Sequence, residues 1–294
     1  MKAIKETAYA KINLILDVVG KRSDGFHDIE TVMHAVSLCD ELTVTVAPSR
    51  EASVTLELVG ERRLPTDDRN IAVKAAKLYI SRAGISDSVR ISLNKNIPIA
   101  AGLAGGSTDA AAVLRALNRL YGKRLSDKAL LSLAAELGSD VPFCLLGGTA
   151  LCRGRGERIE RLPDVCGLNV VIAIADGEHV STPTAYSSLD AIYSDFDGSV
   201  KRAGEARAKA LIDSIKGARI DASALYNIFE EAILPECAGA SAIKARMLEL
   251  GALASLMSGS GPSVFGIFDT EEAAKAAESD LIARGYRAYR ATSA

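Results

Sequence analysis

The run Pro98-Ile99-Ala100-Ala101-Gly102-Leu103-Ala104-Gly105-Gly106-Ser107-Thr108-Asp109 sets three glycines and two hydroxyls directly ahead of an alanine-rich helix. Glycines let a backbone approach a ligand closely, and the N–H groups and dipole of a helix start favour an anion. The chemistry on offer is the cradling of a triphosphate. Read alone, the run is equally a glycine turn whose Ser107 or Thr108 caps the helix. It is neither a Walker A loop nor a Gly-x-Gly-x-x-Gly fingerprint. A second loop, Ser258-Gly259-Ser260-Gly261-Pro262-Ser263, offers small residues and hydroxyls between two strand candidates, as a hairpin also would. Lys95 precedes the first loop and could reach a phosphate, or be a solvated strand-end lysine. Asp140 follows a helix-ending glycine and precedes Val141-Pro142, so it can cap a new helix or accept a proton. Lys11 and Asn13 alternate with Ile12 and Leu14, which puts the two polar residues on one face of a strand.

The elements that must position these groups are read from periodicity. Ile12, Leu14, Leu16 and Val18 alternate as in a half-buried strand ending at Gly20, and Lys21 to Gly25 reads as a polar turn. Residues 27–37, 42–47, 53–59 and 89–94 read as further strands. Helices are expected over 70–82, through Val113 to Tyr121, and from the N-cap Ser126 to Leu137. After Gly147-Gly148 come strands at 149–153, 157–162 and 170–175, helices at 202–216, 224–234 and 241–250, and strands at 253–257 and 264–268. Thr270 caps a last helix over 271–284, and 286–291 is a last strand. The mixture lacks a regular βαβ repeat, which predicts a two-layer α+β architecture with a boundary near 150–165.

Three segments in this order resemble the motifs of the GHMP small-molecule kinases. Pro98 to Ala112 is similar to their phosphate loop, Ala8 to Leu14 (AYAKINL) to the N-terminal substrate-side motif, and Leu256 to Phe268 (LMSGSGPSVFGIF) to the C-terminal glycine motif. Thr108 stands where a second serine is usual. Gly20 to His27, Leu137 to Phe143 and Ser181 to Tyr186 resemble the branch that phosphorylates the 2-hydroxyl of a cytidine-diphosphate-linked methylerythritol, on the non-mevalonate route to isoprenoid precursors. The resemblance implies a two-domain α+β fold: a two-layer N-terminal domain over 1–155 and a ferredoxin-like C-terminal domain over 156–294. A homoserine or mevalonate kinase type and a non-catalytic nucleotide or metabolite sensor are the rival readings.

By that resemblance Asp140 is the base that takes the substrate hydroxyl's proton, and Lys11 orients it and stabilises charge at the transferring group. ATP lies over Lys95, Pro98, Gly102, Leu103, Ala104, Gly105, Gly106, Ser107 and Thr108. The substrate meets Asn13, Phe26, His27, Thr182 and Tyr186; its cytidine end lies by Phe26, His27 and Tyr186, with Phe26 and Tyr186 sandwiching the base and His27 reading it. Mg²⁺ is expected to arrive with ATP, with no resident metal, because His27, His34 and His179 lack metal-ligand spacing.

The composition bounds these expectations. The 294 residues carry 35 Lys and Arg against 37 Asp and Glu, a formal charge of −2, which gives no global field for nucleic acid or an anionic membrane. A small-molecule substrate and a monomer or weak homodimer are expected. The stretch Lys201 to Arg219 reads as a solvated basic face, with electrostatic help to an anionic substrate as the alternative. Five scattered cysteines without a Cys-x-x-Cys pair fit a reducing cytoplasm. The first twenty residues are too interrupted for a membrane span and lack a signal-type cleavage site, so they read as a mature first strand.

Overall fold

The computed structural model describes residues 1–60, 64–193, 199–217 and 220–294, with the backbone alone over 199–203. The chain begins with β1 (Lys2–Lys21), β2 (His27–Ala47), β3 (Ser53–Val59), α1 (Ile71–Ala83), β4 (Ser88–Asn94), α2 (Gly105–Leu120), α3 (Asp127–Leu137) and α4 (Val141–Leu146). It continues through β5 (Thr149–Gly154), β6 (Arg158–Arg161), β7 (Asn169–Ile174), α5 (Thr182–Ile192), α6 (Ser199–Lys216), β8 (Tyr226–Asn227), α7 (Phe229–Ile233) and α8 (Ala238–Glu249). It ends with β9 (Ala254–Met257), β10 (Val264–Phe268), α9 (Glu271–Ala283) and β11 (Arg287–Thr292). Residues 1–10, 39–99 and 104–146 make one compact unit, and 11–38, 100–103 and 147–294 make a second. The units are discontinuous in sequence, so no single cut, at 155 or elsewhere, reproduces them.

In the first unit, β4 pairs antiparallel with the C-terminal part of β2, from Glu41 opposite Asn94 to Ala47 opposite Ser88, and β3 runs parallel to β4. Leu42, Val44 and Val46 of β2 and Val89, Ile91 and Leu93 of β4 are buried, which is the alternation of a sheet with one covered face. Helix α1 starts where Asn70 accepts the Ala72 N–H at 2.9 Å and stops where Gly84 takes φ +61°. Such a cap is worth about 1 kcal/mol. Helix α2 packs against α1 and α4, and its Ala110, Ala111, Ala112 and Ala116 are buried.

In the second unit, β2 pairs antiparallel with β5 from Ile29 opposite Gly154 to His34 opposite Thr149, and β6 pairs with β5. Four further strands form an antiparallel sheet in the order β11-β7-β10-β9. Val170 to Ile174 are all buried, as an uninterrupted apolar run in an inner strand requires. Phe229, Ile243, Met247, Phe268, Ala277 and Leu281 build the core in which α7, α8 and α9 take part.

Several elements depart from the sequence expectations. The strands expected at 27–37 and 42–47 are one strand, because buried Asp40 is bonded where a break was expected. The helix expected over 224–234 is a 3₁₀ turn (Ala222–Ala224), the short β8 and α7, since Tyr226 and Asn227 pair in parallel with Ile15 and Leu16 of β1. Helix α5, not foreseen, begins at Ser181, whose hydroxyl accepts the Thr184 N–H. Of the basic stretch 201–219, residues 218 and 219 and the side chains of Lys201 and Arg202 lie outside the described residues. Among the described residues no helix is long and apolar enough to cross a membrane.

Candidate active site

The two glycine loops meet within the second unit. Gly102 has φ +76°, and a Cβ there would lie 2.0 Å from the Ser258 carbonyl oxygen, so only glycine fits. The Ser258 hydroxyl donates to the Gly102 carbonyl at 3.1 Å, and the Ser263 hydroxyl donates to the Ala101 carbonyl. A Cβ on Gly259 would approach the Gly102 carbonyl to 2.9 Å. The second loop therefore braces the first.

Lys11 and Asn13 share a face, as their alternation requires. The Lys11 ammonium donates to the Asn13 amide oxygen and to the Gly102 carbonyl, both at 2.8 Å, and the Lys11 N–H donates to the Leu103 carbonyl. Asn13 is 1% exposed; its oxygen also accepts the Gly259 N–H at 2.9 Å, and its amide donates to Thr31 Oγ1 at 2.8 Å. These bonds make it a brace for Lys11. Asn227, which the sequence reading passed over, donates to the Met257 and Gly259 carbonyls and ties β8 to the same loop.

In the first unit the helix of the phosphate loop begins at Gly105, earlier than expected, so Gly105 to Thr108 form its first turn. Ala104 takes φ 58° as its N-cap, and neither a side-chain cap nor an acidic residue occupies that turn. Pro98 is buried, Gly106 exposed and Ser107 half-buried. Thr108 is 1% exposed, and its hydroxyl donates to the Tyr9 carbonyl at 2.7 Å, which fastens α2 to β1.

Lys95 is not a solvated lysine. It is 6% exposed, pairs with Asp40, and pairs with Asp109 at 2.8 Å. Its ammonium lies where a Cβ on Gly105 would come within 3.1 Å. Asp40 also accepts the N–H groups of Asn96 and Ile97, at 2.6 and 2.8 Å, fixing the backbone that enters the loop. Burial, opposed by Lys95 and reinforced by Asp40, pushes the Asp109 carboxyl well above the ordinary carboxylate range.

Asp140 is half-buried at the start of α4, where its carbonyl accepts the Cys144 N–H at 3.0 Å. Arg115 of α2 donates to the Cys144 carbonyl at 2.8 Å and to the Thr7 carbonyl at 2.9 Å, so one guanidinium fixes α4 against β1. Lys11 belongs to the second unit and Asp140 to the first.

The expected base-binding residues gather in the second unit. The turn before them is held by Arg22, which bonds Asp24 and Asp28, and by the Phe26 N–H donating to Asp24. Those bonds, the Arg22 one foremost, hold Asp24 below the ordinary carboxylate range. Phe26 is 52% exposed, with the Arg155 guanidinium 4.9 Å from its ring centre. His27 stacks on Tyr186 with ring centres 4.6 Å apart, and Tyr186 meets the edge of Phe229 at 4.9 Å. Asp190 Oδ1 lies 2.7 Å from His27 Nε2, and its Oδ2 accepts from Lys21 at 2.5 Å. Burial would raise Asp190, but the bonds from Lys21 and His27 outweigh it and hold the carboxyl below its ordinary value. Thr182 Oγ1 lies 3.2 Å from Ser260 Oγ, so the loop that braces Lys11 also touches the start of α5. The signal for Asp190 was its place four residues after Tyr186, on the same helical face. Arg155 carried none beyond its glycine-flanked turn.

Among the described residues no group of three or more His, Cys, Asp or Glu is placed to hold a metal ion. The GHMP kinases N terminal domain family matches residues 70–148, and the GHMP kinases C terminal family matches 209–287. A 4-diphosphocytidyl-2-C-methyl-D-erythritol kinase of Caldicellulosiruptor saccharolyticus is 43% identical, over 92% of this chain and 90% of its own length. A crystal structure of 4-(cytidine 5'-diphospho)-2C-methyl-D-erythritol kinase superposes with a TM-score of 0.78 at 35% identity, covering 98% of both chains. A homoserine kinase structure from Cytophaga hutchinsonii also reaches 0.78, at 26% identity, over 100% of this chain and 95% of its own. The two family matches and the relatives that span most of the chain agree: the chain belongs to the GHMP kinase family, among its 4-diphosphocytidyl-2-C-methyl-D-erythritol kinases.

Proposed function

We propose that this chain transfers the γ-phosphoryl group of ATP to the 2-hydroxyl of 4-diphosphocytidyl-2-C-methyl-D-erythritol, in the supply of isoprenoid precursors. The observation that carries the reading is the Ser258 to Ser263 loop, which bonds Asn13, the partner of Lys11, through Gly259 and the start of α5 through the adjacent Ser260. Lys11, through Asn13, and the aromatic cluster, through Thr182, are thus tied to consecutive residues of one loop.

The start of α2 suits the ATP phosphates, because its first turn has small residues and no side-chain cap. ATP supplies the phosphoryl group, and Mg²⁺ carried on its phosphates neutralises their charge. Asp140 takes the proton of the 2-hydroxyl, raising the nucleophilicity of that oxygen. Lys11, held by Asn13 and Gly102, offers a fixed positive charge where negative charge develops. Lys95 and Thr108 act beneath the loop, holding its shape through Asp40, Asp109 and the Tyr9 carbonyl. Phe26 and Tyr186 supply ring faces to the cytosine, and His27 supplies a hydrogen-bonding edge.

The test is ADP release by the purified protein with ATP and Mg²⁺, comparing the cytidylyl substrate with homoserine, mevalonate and galactose. Turnover of the cytidylyl compound alone is expected. Use of another alcohol in its place overturns the substrate assignment, and ATP binding without turnover favours a sensor.

A further inference from the structure

Helix α5 presents Thr182, Tyr186 and Asp190 at spacings of four, which is one face of a helix. Thr182 meets Ser260, Tyr186 stacks on His27, and Asp190 meets both His27 and Lys21. An ionised carboxylate can only accept hydrogen bonds. At 2.7 Å the proton between Asp190 and His27 therefore sits on His27 Nε2, and a neutral ring then carries its acceptor at Nδ1. The same contact and the Tyr186 stack restrict the ring's rotation from two sides. Lys21 holds the second carboxylate oxygen, so Asp190 is itself fixed.

We propose that Asp190 is a positioning residue for base selection: it sets the tautomer and the plane of His27, and with them the preference for cytosine over uracil. The two bases differ at C4, where cytosine has an amine and uracil a carbonyl. An imidazole acceptor pairs with the amine and repels the carbonyl, whereas a ring free to exchange tautomers serves both. The proposal rests on the placement of the cytidine end at His27.

The experiment measures kcat and KM for the cytidylyl substrate and its uridylyl analogue in the wild type, Asp190→Ala, Asp190→Asn and His27→Ala. It also records the ¹⁵N shifts of the His27 ring. Asp190→Ala is expected to raise KM for the cytidylyl substrate roughly tenfold, the worth of one charge-assisted hydrogen bond, with kcat and the KM for ATP within about twofold. The cytidylyl-to-uridylyl ratio of kcat/KM should fall by a similar factor, and the ring signals should leave the Nε2–H pattern. Asp190→Asn keeps the volume and serves if the alanine variant does not fold. An unchanged ratio with His27 still protonated at Nε2 overturns the proposal. A silent Asp190→Ala beside an impaired His27→Ala removes Asp190 alone; a silent His27→Ala removes the base-reading role of His27 as well.

Discussion

Around Gly102 the contacts are carbonyls, hydroxyls and a glycine Cα at closest approach, whereas around His27 they are rings and charges. The first arrangement is steric and tolerates almost no change, because a backbone oxygen already occupies the space of a side chain at Gly102. The second is a set of side-chain preferences whose members can be exchanged singly at modest cost. A family that keeps one phosphate donor and varies its alcohols would divide its physics in this way. The loop region should then govern turnover of any substrate, and the aromatic cluster should govern which substrate is used.

Asp140→Asn gives the largest expected effect and sets the scale. Removing the base should lower kcat by about 10²- to 10⁴-fold while the KM values for both substrates stay near wild type. Near-normal kcat in single-turnover kinetics would end its catalytic assignment. Lys95→Met comes next, as a loss of stability rather than of chemistry. It leaves Asp40 and Asp109 buried without their cation, and breaking such a group costs about 3–5 kcal/mol. Urea unfolding checks this, and a change under about 1 kcal/mol would return Lys95 to the solvated class.

Asp109→Asn sharpens that result through pH. Burial raises the folded-state value of Asp109 above the ordinary 3.8, so the wild type holds this contribution at low pH and loses it as pH rises through the raised value. The asparagine variant lacks that proton, and its stability relative to wild type should climb with pH. A flat difference between pH 4 and 9 would mean that Asp109 is ionised throughout, with Lys95 outweighing its burial.

Gly102 was legible as one of three glycines in a loop, and Lys11 with Asn13 as a shared strand face, because both signals lie within a few residues of sequence. The Lys95 trio was not legible, since its members stand at positions 40, 95 and 109 and each is an ordinary polar residue by itself. Tyr226-Asn227 read as helix because a parallel pairing with β1, more than two hundred residues away, overrides local preference. The compact units were hidden for the same reason: residues 11–38 and 100–103 join 147–294 by contacts that chain order does not record.

Gly102→Ala carries a smaller stability change than Lys95→Met and a more pointed one. An alanine at φ +76° costs about 1–3 kcal/mol of backbone strain, and its Cβ must also displace the Ser258 carbonyl. The displaced loop carries Gly259 against Asn13, so Lys11 loses alignment and kcat should fall with every alcohol the enzyme accepts. Ser260→Ala alters the next residue of the same loop, where a single exposed hydroxyl contact to Thr182 is worth about 0.5–1 kcal/mol at most. It should raise KM for the cytidylyl substrate by less than about fivefold and leave kcat unchanged. A double-mutant cycle with Thr182→Ala isolates this contact, because each single change removes the same bond. Coupling confined to KM means that the loop transmits position between the two regions; coupling that appears in kcat means that base selection and phosphoryl transfer are not separable, and the comparison between the regions fails.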